Sequence, residues 1–293
     1  MSAVTESCVE TEGRAPSGGL SLHYRAFSVA GAAGKLSVLI VHGLSFFSWD
    51  WIPVARKLAA DGRNVVAMDM RGFGDSDWSP DKDYSIPSNA RDFIAVMDHL
   101  GWDKAVLLGH SMGGRHCTWC ASVNPGRIAA LVSVDFAPAV NPEGSARVAK
   151  RTGSLPDSFA SLDECIAWFE RDSGKTFNEA QRRRWAEFTR PAPGGSGVMI
   201  KRDPHFRDGF RRILETGQRP PAEVDMWAAL SAVQCPSLFV RGKRSDMFAA
   251  ETVDKVLAAN PRARVVELDT GHDVGGQDPD GLVREVKGFL ATL

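Results

Sequence analysis

Long apolar runs, a large net charge and a cysteine framework are all missing from this 293-residue sequence. No apolar run approaches the roughly 18 residues of a membrane span, and the first residues lack the basic and apolar blocks of a signal peptide. A formal net charge of -1 creates no overall field that would attract nucleic acid or an anionic membrane. The five cysteines are odd in number and scattered, which argues against disulfides and favours a reducing compartment. We therefore expect a cytoplasmic protein that binds neither nucleic acid nor membrane.

Short apolar runs alternate with segments of helical periodicity along most of the chain. Such alternation is typical of a parallel sheet with helices on both faces. The predicted strands cover 20–27, 36–41, 64–68, 104–108, 128–134, 237–240 and 264–268. The predicted helices cover 51–60, 88–100, 112–123, 251–259 and a final segment from about 282.

In the middle of the chain this alternation stops. The interval 138–227 contains helical stretches such as 162–170 and 178–188 but no convincing strand. An insert of this kind most simply folds into a cap over one face of the sheet. We predict an α/β core formed by 1–137 and 228–293, with a helical cap formed by 138–227.

The run Gly109-His110-Ser111-Met112-Gly113 falls between a predicted strand and a predicted helix. This strand–turn–helix setting is what the nucleophile elbow requires. The flanking glycines leave room for a sharp turn, and the serine oxygen then projects above the sheet at the positive end of a helix. We predict that Ser111 is a nucleophile and that the backbone N–H of Met112 donates to an oxyanion.

The loop after the strand 36–41 is the second candidate segment. Its Gly43 lets the backbone fold beneath a substrate, so the N–H of Leu44 is predicted as the second oxyanion donor. We expect His42 to brace this loop rather than act as a base. We count His42, Phe46 and Trp49 among the candidate substrate-binding residues, with simple core packing as the alternative for the aromatic side chains.

A serine hydroxyl becomes a good nucleophile only when a neighbouring base removes its proton. Of seven histidines, His272 lies just after the last predicted strand, where a loop reaches back over the carboxyl edge of the sheet. A carboxylate must then hold that base in the correct tautomer. Asp135 and Asp246 each follow a predicted strand, and both preserve the chain order Ser, Asp, His. We favour Asp135, because a charge at the tip of a hydrophobic run needs a partner, and keep Asp246 as the alternative.

With these motifs the sequence resembles the α/β-hydrolase superfamily over almost its whole length. The resemblance implies a mostly parallel eight-stranded sheet with helices on both faces, an inserted helical cap, serine chemistry and no cofactor; we expect no metal. Haloalkane dehalogenases and epoxide hydrolases need an aspartate where this elbow has Ser111, so those activities are disfavoured. The matching motifs are His42-Gly43, 69–76 (DMRGFGDS), 109–114 (GHSMGG), Arg241-Gly242 and Gly271-His272.

The resemblance also bears on the acid. Many members carry the aspartate three residues after the glycine that ends the seventh strand, and that position is Ser245 here. Asp246 comes one place late for that pattern. Another branch, which includes lactone and amide hydrolases, has its acid at the end of the sixth strand, where Asp135 stands.

Arginines dominate the basic residues of the predicted cap. Because guanidinium groups bind carboxylates in bidentate fashion, Arg147, Arg151 or Arg171 is a candidate to hold an acidic substrate group. The run 182–184 is instead predicted to be a solvated helix face. The expected partner is therefore a small-molecule substrate, with a carboxylate-bearing one as an option.

The predicted function is hydrolysis of a small carboxylic ester, lactone or amide through an acyl-enzyme. Three alternatives stay open at this level. One is a carbon–carbon bond hydrolase of ring-cleavage products, which uses the same triad. The others are a cofactor-free lyase and a receptor-like protein that mainly binds its ligand.

Overall fold

The computed structural model of the protein describes residues 8–29, 34–139 and 141–293. Within these ranges the strands are β1 (Val9–Ser17), β2 (Leu20–Ser28), β3 (Ser37–Val41), β4 (Val65–Met68), β5 (Ala105–His110), β6 (Ile128–Val134), β7 (Thr189–Pro191), β8 (Val198–Ile200), β9 (Ser237–Gly242) and β10 (Ala263–Leu268). The main sheet has eight strands in the order β1-β2-β4-β3-β5-β6-β9-β10. Strands β7 and β8 form a separate two-stranded sheet.

The main sheet is parallel except at one side. Neighbours from β4 to β10 run parallel, whereas β1 pairs with β2, and β2 with β4, in antiparallel fashion. This confirms the predicted mostly parallel eight-stranded sheet. Parallel pairing also brings the carboxyl ends of β3, β5, β6 and β10 to one edge, where open α/β sheets bind their ligands.

Helices flank the sheet and fill the interval between β6 and β9. They are α1 (Ile52–Ala59), α2 (Ile86–His99), α3 (Met112–Val123), α4 (Pro142–Gly153), α5 (Leu162–Ser173), α6 (Glu179–Glu187), α7 (Pro204–Thr216), α8 (Met226–Ala232), α9 (Val253–Ala259), α10 (Val274–Gln277) and α11 (Pro279–Leu290). Across the described residues, no helix combines the length and apolar character needed to cross a bilayer.

Strand β5 shows why helices cover both faces of the sheet. All of its residues are buried, and successive side chains of a strand point to opposite faces. Val106 and Leu108 join the apolar cluster that includes residues of α1 and α11, while Leu107 joins the cluster that includes residues of α2 and α3. A strand buried on both faces is typical of the centre of a parallel sheet.

The apolar pattern predicts neither β1 nor the β7–β8 pair. Strand β1 is polar in sequence and largely exposed at the sheet edge, so it lacks the alternation that marks a half-buried strand. Strands β7 and β8 have three residues each and lie within 138–227. The prediction of an interval without strands is therefore wrong, because such short strands carry no periodic signal. The division into core and cap stays a prediction; helix α8 crosses its boundary at 227 and packs against α3.

A buried histidine in α3 makes stability depend on pH. Burial, together with the charge of Arg115, holds the pKa of His116 well below its usual range. Below about pH 6.5 the unfolded chain binds a proton at this side chain that the folded chain does not bind. Relative to a His116→Leu variant, the wild type should lose about 1.4 kcal/mol of unfolding free energy per pH unit between pH 6 and 5. Urea titrations at each pH measure this difference; a difference that stays constant from pH 8 to 5 would contradict it.

Candidate active site

Ser111 occupies the sharp turn between β5 and α3. Its backbone has φ 54° and ψ -116°, a conformation that non-glycine residues rarely adopt. The surrounding backbones are very close: a Cβ atom on Gly109 would lie 2.5 Å from the Gly113 carbonyl oxygen, and one on Gly113 would lie 2.4 Å from that of Val41. Glycine at both positions is thus a requirement of the close approach between β3, β5 and α3.

Ser111, His272 and Asp135 form a continuous hydrogen-bonded relay. Ser111 Oγ lies 2.9 Å from His272 Nε2, and His272 Nδ1 lies 2.6 Å from Asp135 Oδ2. The Asp135 side chain is fully buried at the end of β6, whereas that of His272 is 20% exposed. The structure therefore brings together the serine, the histidine and the favoured aspartate of the sequence prediction.

Two further groups orient the Asp135 carboxylate. The Gly242 N–H donates to Asp135 Oδ1 at 2.9 Å, and the Ser245 hydroxyl donates to Oδ2. Ser245 is the position at which many family members carry the acid themselves. Sequence reasoning noted the missing aspartate there but did not predict that the serine hydroxyl would hold the carboxylate in place.

Asp246, the alternative acid, has a different partner. Its two oxygens accept bonds of 2.6 and 2.7 Å from Nε and Nη2 of Arg147. This ion pair joins α4 to the loop after β9, and both side chains are partly exposed. Of the two candidates, Asp135 is the one that contacts His272.

His110 contacts the backbone of the loop that carries His272. Its Nε2–H donates to the His272 carbonyl oxygen at 2.8 Å. Burial and the adjacent His272 ring lower the pKa of His110 to about 3, so the ring is neutral and keeps one N–H. Sequence analysis selected His272 among the seven histidines and assigned no role to His110. His110 is a positioning residue for the loop that carries His272.

Removing the His110 donor should impair turnover more than binding. In His110→Phe the ring volume is retained but the His272 carbonyl loses its partner, and small displacements of a reacting group are costly. We expect kcat for ester hydrolysis to fall about 10-fold with KM nearly unchanged. His110→Gln, which keeps a donor, should retain more of kcat. Steady-state kinetics test this, and wild-type kcat in His110→Phe would refute the positioning role.

The predicted oxyanion donors flank Ser111. Met112 opens α3, where first-turn N–H groups lack intrahelical acceptors. A Cβ atom on Gly43 would lie 3.2 Å from Ser111 Cβ, so the loop that carries Leu44 passes directly over the serine. Within the described residues, neither the Met112 N–H nor the Leu44 N–H donates to another protein group. Both are therefore available to a substrate oxygen.

Two of the predicted substrate-binding residues face elsewhere. His42 is fully buried; its Nδ1 lies 2.8 Å from the Gly43 carbonyl oxygen, and its Nε2 accepts the Met70 N–H at 3.0 Å. Both nitrogens are thus occupied by the backbone, and the expectation that His42 braces its loop describes it better than substrate binding. Trp49 is stacked against the guanidinium groups of Arg25 and Arg183, each 5.1 Å from its ring centroid, so these contacts and core packing account for its position.

Phe46 packs beside the nucleophile elbow, and Arg151 lines a cleft. The Phe46 ring packs edge-on against His110, with centroids 4.9 Å apart. Arg151 pairs with Asp172 at 2.8 Å and lines a cleft together with Ser45. Both positions are compatible with contact to a substrate.

The prediction of a solvated helix face for 182–184 is wrong for Arg184, which is largely buried in an ion pair. Its Nε and Nη2 bind the Asp50 carboxylate at 2.8 and 3.0 Å, and Nη2 also donates to the Ser45 carbonyl oxygen at 2.7 Å. The two side chains are 18% and 13% exposed. A charge run in the sequence cannot show which member faces the core, because that depends on how the insert packs. Arg184 thus ties α6 to the oxyanion loop.

One set of side chains has the chemistry of a metal site. The ligand atoms of His23, Asp69 and Asp75 lie within 4.8 Å of one another. Asp69 is, however, already used by the fold, since it accepts bonds from His23 Nδ1 at 2.8 Å and from the Ser48 N–H at 2.6 Å. The cluster therefore braces the loop after β4.

Comparison with known proteins agrees with this fold. A family model for the alpha/beta hydrolase fold matches residues 37–279. The chain is 30% identical over 267 residues to a 3-hydroxybutyrate-oligomer hydrolase of Cupriavidus necator, covering 88% of this chain and 90% of the relative. It is 28% identical to esterase YbfF of Escherichia coli, covering 92% and 99%. The crystal structure of E-2-(acetamidomethylene)succinate hydrolase superposes with a TM-score of 0.80 at 24% identity, covering 97% of this chain and 100% of the other.

The chain belongs to the alpha/beta hydrolase family. Its similarity to proteins named as hydrolases and esterases supports hydrolase activity.

Proposed function

We propose that this protein is a serine hydrolase that cleaves a small carboxylic ester, lactone or amide through an acyl-enzyme. The observation that carries the proposal is the relay from Ser111 Oγ to His272 Nε2 at 2.9 Å and from His272 Nδ1 to Asp135 Oδ2 at 2.6 Å. Nucleophile, base and orienting acid in this order are the requirement for acyl transfer by serine. An ester is supported further by the esterase among the relatives.

In the first half-reaction Ser111 Oγ attacks the substrate carbonyl carbon. His272 Nε2 takes the hydroxyl proton, and Asp135 stabilises the resulting imidazolium through Nδ1–H. The negative charge that develops on the carbonyl oxygen is bound by the N–H groups of Met112 and Leu44. His272 then protonates the alkoxide or amine as the bond to the leaving group breaks, leaving the acyl group on Ser111.

In the second half-reaction a water molecule replaces the serine as nucleophile. His272 accepts a proton from the water as its oxygen bonds to the acyl carbon, and the same N–H groups bind the second oxyanion. Collapse returns the proton to Ser111 Oγ and releases the carboxylic acid. The side chains end in their starting protonation states, so the cycle needs no cofactor.

Covalent labelling tests this proposal. The wild-type protein should hydrolyse p-nitrophenyl butyrate and should react with a fluorophosphonate, and peptide mass spectrometry should locate the adduct on Ser111. Pretreatment with the fluorophosphonate should abolish ester hydrolysis, because both reagents need the same activated hydroxyl. Absence of both hydrolysis and labelling would favour a receptor-like role and overturn the proposal.

A further inference from the structure

An arginine that sequence reasoning did not single out lies buried beside the oxyanion loop. Arg202 lies two residues after the end of β8 and is 5% exposed. Its Nη1 donates to the Leu44 carbonyl oxygen at 3.3 Å. Among the residues that the structure describes, its guanidinium has no carboxylate partner. The next residue, Asp203, is engaged elsewhere, with Lys82 at 2.9 Å.

Three other buried arginines in the described part of the chain have a carboxylate partner, whereas Arg115, whose Nε is buried, has none. Taking a charge out of water is expensive unless an opposite charge accompanies it. The compensated pairs are Arg71–Asp92 at 2.6 Å, Arg207–Asp157 at 2.7 Å and Arg241–Glu267 at 2.5 Å.

Arg202 instead faces further positive charge. Burial, with the neighbouring guanidiniums of Arg151 and Arg207, lowers the pKa of Arg202 to about 9. The group is therefore cationic at neutral pH but under-compensated in the free protein. An anion that entered this region would relieve both the desolvation and the repulsion.

Arg202 borders a narrow cleft that is partly open to solvent. Arg202 and Arg151 line this cleft together with Ser45 and the aromatic side chains of Phe169 and Trp185. Most of the other lining side chains are apolar, and a charge-assisted hydrogen bond is stronger in such surroundings than in bulk water.

The cleft adjoins the reaction centre through the oxyanion loop. Arg202 bonds to the carbonyl oxygen of Leu44, the residue predicted to supply the second oxyanion donor, and Ser45 forms part of the cleft wall. Of the arginines predicted to bind an acidic group, Arg147 is paired with Asp246 and Arg171 is exposed. Arg151 is paired with Asp172 but also lines the cleft beside Arg202.

We propose that Arg202 and Arg151 form a subsite that binds a carboxylate group of the substrate next to the Ser111–His272–Asp135 relay. The inference rests on the proposed hydrolase function and narrows its substrates to acids that carry a second, scissile acyl bond. Guanidinium groups suit this role because their paired N–H donors match the two oxygens of a carboxylate.

Matched ester pairs test the subsite. Monophenyl glutarate and phenyl pentanoate place or omit a carboxylate at the end of the same acyl chain. Phenyl pentanoate and its 3-carboxyphenyl analogue do so on the alcohol side. In the wild type, one of the anionic esters should be preferred, and Arg202→Gln should lower its kcat/KM relative to the neutral ester by about 10- to 100-fold.

Two variants control for charge and for a general effect of losing an arginine. Arg202→Lys keeps a cation but loses the paired donors, so it should retain part of the preference. Arg212→Gln removes an exposed arginine of α7 and should leave the preference at its wild-type value. An unchanged preference in Arg202→Gln for both ester pairs, in an enzyme that still hydrolyses phenyl pentanoate, would overturn the subsite and leave the hydrolase proposal intact.

A binding measurement separates the subsite from catalysis. Glutarate should raise the Tm of the wild type but not that of Arg202→Gln. Without glutarate, the Tm of Arg202→Gln should equal or exceed the wild-type value, because an uncompensated buried charge is removed. If the protein neither hydrolyses esters nor labels at Ser111, the hydrolase proposal fails. The glutarate shift then decides the subsite alone, and its absence from the wild type would overturn it.

Discussion

A Ser111→Ala variant is expected to lose on the order of 10⁶ in kcat for ester hydrolysis, with little change in stability. The Ser111 hydroxyl contributes a hydrogen bond to His272 Nε2 at 2.9 Å, whereas the unfavourable φ of 54° is the same for alanine. Activity should remain above the uncatalysed rate, because the oxyanion donors are untouched. Stopped-flow assays with p-nitrophenyl butyrate and urea unfolding measure the two quantities.

A matched control for this variant is Ser154→Ala. Ser154 is exposed after α4, and its loss should change neither kcat nor labelling by the fluorophosphonate. If Ser111→Ala instead retained kcat within 100-fold of the wild type, water activated directly by His272 would replace the acyl-enzyme as the mechanism.

Replacing Asp135 with asparagine is expected to lower kcat by about 10⁴, as for the corresponding change in serine proteases. An amide cannot stabilise the imidazolium and favours the wrong tautomer of His272. The buried carboxylate accepts bonds from His272, Ser245 and Gly242, so circular dichroism must show that the variant remains folded. Steady-state kinetics then give the effect on the chemical step.

A second substitution should restore part of the activity that Asp135→Asn loses. Ser245 Oγ and His272 Nδ1 bond to the same oxygen of Asp135, so a carboxylate at position 245 would approach the imidazole. We expect Asp135→Asn combined with Ser245→Asp to recover 10- to 100-fold of the lost kcat, as an estimate from the strength of charge-assisted hydrogen bonds.

Asp246→Asn provides the comparison for both acid variants. Asp246 is bound to Arg147 and is partly exposed, and loss of such a surface pair should change kcat only slightly. Equal and mild effects of Asp135→Asn and Asp246→Asn would contradict the assignment of the acid.

The sequence predicts the central elements of the fold well. Helix α3 and strand β6 occupy the predicted ranges 112–123 and 128–134, because apolar runs bounded by glycine turns leave few alternatives. Ser111 and His272 can be predicted for the same reason: each follows a strand whose carboxyl end lies at the ligand-binding edge.

The supporting shell of the site is harder to predict. Ser245 and His110 act through hydrogen bonds to residues far away in the sequence, Asp135 and His272. Arg202 gains its importance because no acid among the described residues pairs with it, which is a property of three-dimensional packing. Local patterns carry no information about such long-range contacts.

The bonds from Arg184 to Asp50 and to the Ser45 carbonyl oxygen link the position of α6 to that of the oxyanion loop. Displacement of α6 away from the sheet would break these bonds to the oxyanion loop and leave those of His42 and Arg202. A molecule in which α6 has moved would therefore have a less ordered oxyanion loop. The backbone amides of residues 43–51 should then exchange hydrogen with solvent together with those of α6. The order of the oxyanion loop therefore depends in part on one partly buried ion pair.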